Sequence, residues 1–243
     1  MSQLSSFFFE PILQKLENAF RRIETKVPQP TLSGRGFRYA ERTIHQAIVQ
    51  KLARLISGLH AVEVLLERGL FQEQGMMQRA VDEIEQDILF LSFAVINSDV
   101  NSLHKQYLEF FYLEEFADPD DVVGSRIPRG MVNRDKIRSY VHRNAVVDAD
   151  DLPSANATAK TLTKAYSGYI HAASPHIMDM YFPGGFDVSG AAKHRYISHR
   201  LDARNVFYRA IAATAVVARA FGDEPLFAAM YDFAGKVDAE MRS

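Results

Sequence analysis

Glu83, Ser167 and His171 are the residue types that a general acid–base or nucleophilic site requires. A carboxylate can orient an imidazole, and the imidazole can take a proton from a hydroxyl. Ser167 lies one helical turn before His171, so both fall on one helix face. Arg79 stands four residues before Glu83, where its guanidinium could hold a phosphate or carboxylate, and Tyr166 adjoins Ser167 as a second binding candidate. The competing reading is a satisfied polar network that fixes the packing of two helices. No Gly-x-Ser-x-Gly elbow surrounds Ser167, whose neighbours read Tyr166-Ser167-Gly168-Tyr169.

Other chemistry is less well supplied. There is no cysteine, which removes disulfides, thiolate ligands and a thiol nucleophile together. The histidines show neither His-Glu-x-x-His nor Glu-x-x-His spacing, so no metal and no cofactor is expected. Arg126, Arg129, Arg134, Lys136, Arg138 and Arg143 form one basic stretch, and Lys193, Arg195, Arg200, Arg204 and Arg209 form another. If they converged they would make a phosphate-binding surface. Acidic residues at 114–121 and 148–151 flank the first stretch, no glycine-rich phosphate loop accompanies either, and the net charge is −2. Nucleic acid is therefore not the expected partner.

The elements that must position these residues are helical. Ile44, Ile48, Leu52, Leu55, Leu59, Val62 and Leu66 alternate spacings of three and four. They predict a helix over about 38–68, ending at Gly69. Apolar faces also predict helices over 5–24, 72–97, 101–117, 134–143, 154–181 and 198–221. A last helix follows Asp223 as its cap, with Pro225 in its first turn. Asn133 is the expected cap of the helix at 134–143, residues 119–133 read as a long loop, and Phe186 and Val188 could belong to a scrap of hairpin. The expectation is an all-α protein: a single bundle of about eight helices over 1–243, with the only candidate boundary near 118–133.

Three segments, 88–98, 165–178 and 210–218, contain no Asp, Glu, Lys or Arg. A helix without charge on any face is expected to be buried on every face, which puts all three at the centre. His171 would then be a buried imidazole in need of a partner, and Glu83 on the helix at 72–97 is the expected one. Arg79, Glu83 and Asp87 form one stripe, which Phe90 and Ala94 continue.

The chain has 243 residues, 47% hydrophobic and 24% charged, which is ordinary globular composition and ample for a core. No apolar run approaches the ~20 residues that span a bilayer, and the N-terminus does not read as a signal peptide, so the chain reads as cytoplasmic. The Arg79-x-x-x-Glu83 helix and the later Tyr166-Ser167-x-x-x-His171 helix resemble an uncharacterised bacterial all-helical family, distantly akin to HEPN-like proteins. The resemblance spans about residues 40–182. It implies importance for the Arg/Glu and Ser/His positions but no particular reaction. The Arg-then-His spacing of HEPN ribonucleases occurs at Arg38/His45 and Arg54/His60, but about two such matches are expected by chance in this composition and they carry no weight. The leading expectation is a helical binding protein that forms a homo-oligomer through its Phe-rich first helix. The alternative is a hydrolase or nuclease with Glu83, Ser167 and His171 at its site.

Overall fold

The computed structural model describes residues 3–145, 164–190 and 195–242. Helices dominate it: α1 (Gln3–Glu24), α2 (Ile44–Glu67), α3 (Phe71–Ile96), α4 (Ser102–Phe111), α5 (Arg134–Ala145), α6 (164–170), α7 (Ser174–Met178), α8 (Tyr196–Ala220) and α9 (Glu224–Arg242). Two short antiparallel pairs complete the described residues: β1 (Thr31–Ser33) with β2 (Gly36–Arg38), and β3 (Tyr181–Phe182) with β4 (Gly185–Phe186). The fold is all-α. The part of the expected helix over 154–163 lies outside the described residues.

Helix α3 is the axis of the arrangement. It packs against α2 on one side, α8 on another and α5 on a third; α1 crosses α2 and α8, and α9 covers α8. The buried apolar residues of α1, α2, α3, α5, α8 and α9 join in one cluster. Two of the three charge-poor segments sit in it as expected. Ile88, Phe90, Leu91 and Ala94 of α3 and Ile211, Val217 and Ala218 of α8 are fully buried. The Phe-rich first helix faces inward too: Phe9 is fully buried against Phe207, with ring centroids 4.5 Å apart. Its apolar face belongs to the chain's own core, which removes the reason for expecting an oligomer interface there.

Side-chain caps set the helix starts. Thr43 accepts from the Gln46 amide at 3.2 Å while Gln46 Oε1 accepts from the Thr43 amide at 3.0 Å, so α2 begins at Ile44 rather than near 38. The preceding residues are spent on the β1–β2 hairpin. Asn133 Oδ1 accepts from the Asp135 amide at 2.7 Å, and Asp223 Oδ1 from Leu226 at 3.1 Å, as the sequence suggests. Asn101 caps α4, with His104 Nδ1 accepting the reciprocal bond at 3.3 Å.

The third charge-poor segment is not a central helix. Helix α6 stops at Ile170, Ala172 takes a left-handed φ of 48°, and α7 restarts at Ser174. The cause is Pro175, whose ring is incompatible with the carbonyl four residues earlier, that of His171. The small residues around it serve a tight reversal rather than close approach of another helix. A Cβ on Gly168 would run into the His176 ring, whose Nε2 bonds the Ala165 carbonyl at 3.1 Å.

Candidate functional site

Helix α3 carries two polar faces, and each meets a different neighbour. Toward α8 it presents Gln74, Gln78, Asp82 and Glu85, all buried. The His199 ring on α8 bonds Gln74 Oε1 through Nδ1 at 2.6 Å and stacks on Phe71 at 4.8 Å. Burial pushes the His199 pKa down to about 4, so the ring is neutral at pH 7. Nearly three turns further along α8, Arg209 donates to Asp82 at 2.7 Å and sits 3.2 Å from Glu85 Oε2, in charge contact but off-line for a hydrogen bond. One guanidinium thus serves two buried carboxylates. Burial, opposed by Arg209 and aided by the Asp82 charge, raises Glu85 to about 7. Tyr166 on α6 lies over this group, its hydroxyl pKa raised by burial and by Asp202. Gln78 has no partner among the described residues for either end of its amide.

Toward α2 and α5 the face is different. Asp87, 5% exposed, accepts from Lys51 of α2 at 2.9 Å and from Arg134 at the start of α5, and its charge helps burial to raise the pKa of the nearby Tyr107 hydroxyl on α4. Arg134 also donates to the Glu83 carbonyl at 3.0 Å, which ties α5 to α3. Lys51 Nζ stands 5.1 Å from the Phe111 ring centre and 5.8 Å from that of Tyr107. These groups line a cavity of about 220 Å³, completed by Glu83, Phe110, Arg129, Gly130, Met131, Val132 and Ile137. A Cβ on Gly130 would meet the Phe110 ring, so glycine lets the 119–133 loop close against α4.

The structure separates the residues that the sequence puts together. Glu83 pairs with Arg79 along α3, and its side chain, 40% exposed, lies at the rim of the Asp87 cavity. Tyr166 lies on the α8 side with Asp82 and Arg209. Ser167 is half-buried on α6 and its carbonyl accepts from the His171 amide at 3.2 Å. His171 is exposed in the turn after α6, which corrects the expectation of a buried ring needing a carboxylate. Of the HEPN-type spacings, Arg38 pairs with Glu114 while His45 packs edge-on to Phe221, and His60 bonds Glu17.

Several members of the two basic stretches are engaged within the protein rather than free for a phosphate. Arg138 pairs with Asp135, Arg195 with Asp179, and Arg209 with Asp82, while Arg129 donates to the Leu113 carbonyl at 2.6 Å. Lys193 lies outside the described residues.

Sequence reasoning passed over Lys51 as a site residue and took Arg134 only as a member of a basic stretch. A signal for Lys51 exists: it falls seven residues after Ile44 and three after Ile48, on the apolar stripe of its helix rather than opposite it. A lysine on a core-facing stripe needs a buried carboxylate. No protein-family model, curated protein or solved structure matches this chain. No helix among the described residues is long and apolar enough to cross a membrane.

Proposed function

We propose that this is a helical binding protein that holds a small molecule in the cavity between α2, α3, α4 and α5. The observation that carries this reading is the cavity itself. About 220 Å³ is walled by side chains from four helices and one loop, with Asp87 held by Lys51 and Arg134. A site of this kind combines apolar walls with a few convergent polar groups, the usual make-up of a small-ligand pocket. Its charged floor is held by bonds within the protein, so binding need not pay to order it.

The hydrolase reading has less behind it. A nucleophile, a base and an orienting carboxylate must lie within hydrogen-bond reach of one another. Glu83 is committed to Arg79, and His171 is at the surface beyond the end of α6.

The test is a fragment screen by protein-observed NMR on the full chain. Several chemically distinct single-ring fragments should perturb the resonances of Phe110, Phe111, Met131 and Val132 together. A screen in which no fragment of any charge reaches these residues would sink the binding reading.

A further inference from the structure

We infer that the cavity beside Lys51, Arg129 and Arg134 selects a small aromatic carboxylate. This inference rests on the binding reading above and adds the ligand's charge, shape and size. Charge comes first. Lys51, Arg134 and Arg129 face the cavity with Asp87 and Glu83. Glu83 is answered by Arg79, which does not line it. Asp87 alone therefore faces three cations, and the lining carries a net positive charge. A cationic guest would meet that excess directly, whereas a carboxylate would relieve it.

Hydrogen-bond donors are also in surplus. Lys51 gives one bond to Asp87 and has two further N–H groups. Arg129 spends one N–H on the Leu113 carbonyl, and its guanidinium is the wall's most accessible cation. A carboxylate can take two parallel bonds from such a fork.

Shape and size follow from the other walls. Tyr107 and Phe111 lie parallel on α4, their centroids 6.2 Å apart at 12°, and Phe110 stands beside them. Met131, Val132 and Ile137 also line the cavity. A lining rich in aromatic rings favours a flat aromatic guest that can stack on them. The 220 Å³ here exceeds the roughly 150 Å³ that holds one benzene ring, so a single-ring carboxylate fits.

The experiment is isothermal titration of the full-length protein with benzoate, its neutral isostere benzamide, the cation benzamidine and the non-aromatic cyclohexanecarboxylate. Benzoate is expected to bind at one site, at least about tenfold tighter than benzamide, as loss of one charge-assisted contact implies. Arg129→Ala should weaken benzoate by about tenfold and leave benzamide unchanged. Arg129 is exposed and makes a single bond to the protein, so this variant keeps its fold, checked by an unchanged melting temperature. Equal binding of benzoate and benzamide, or tighter binding of benzamidine, would overturn the carboxylate assignment while leaving a small-molecule cavity. Equal binding of cyclohexanecarboxylate would overturn the aromatic part. Failure of all four probes would count against the binding reading itself.

Discussion

Replacing Arg209 by Leu removes the cation that bridges Asp82 and Glu85, which are 5% and 6% exposed. Two carboxylates would be left at the α3–α8 contact. Breaking a buried pair by deleting one partner costs about 3–5 kcal/mol. The Arg209 side chain keeps 30% of its exposure, so water can partly reach the vacated space and about 3 kcal/mol is the expected cost. For a chain of this length that is a fall in melting temperature of roughly 6–12 °C at pH 8. The cost should depend on pH. Glu85 has a folded-state pKa raised to about 7, above its ordinary 4.5. Between those values the folded chain holds more protons than the unfolded one, so stability falls as pH rises through the window. Without Arg209, whose charge holds it down, the Glu85 carboxyl titrates higher still, and the window extends further upward. Thermal unfolding of wild type and variant at pH 5.5 and pH 8 should therefore show a smaller gap at the lower pH. A variant melting within about 2 °C of wild type at pH 8, or a gap equal at both pH values, would refute the reasoning.

The buried His199 ring should make the protein acid-sensitive. Its folded pKa of about 4 lies below the ordinary 6.5, so stability is full above 6.5 and falls as pH drops toward 4, by up to about 3 kcal/mol. Urea unfolding between pH 7.5 and pH 4.5 checks this, and a His199→Gln variant should have a shallower slope. His171→Ala should change stability by less than about 0.5 kcal/mol, because the ring is exposed; a fall of several degrees in melting temperature would contradict its placement. Asp223→Ala removes the cap of α9 together with its bonds from Arg22, at 2.7 Å, and from Lys26, at 2.9 Å. It should cost about 1–3 kcal/mol by chemical denaturation.

Local patterns in the chain were enough for the helices and their caps. The stripe from Ile44 to Leu66, the caps Asn133 and Asp223, and the charge-free runs that became the buried parts of α3 and α8 depend on neighbours a few residues away. A helix repeats its environment every turn, so such neighbours report burial directly. The same logic failed at 165–178. Absence of charge there marked a reversal rather than burial, and Pro175 was the local signal that outweighed it. The site lay further from reach. Glu83 and Asp87 sit on one stripe of one helix, yet Glu83 turns to Arg79 while Asp87 is held by Lys51, 36 positions earlier, and by Arg134, 47 positions later. Nothing in the spacing of those residues brings them together. Their meeting depends on how α2, α3 and α5 cross, and that is decided by side-chain packing across the core, a property of the folded chain rather than of any segment.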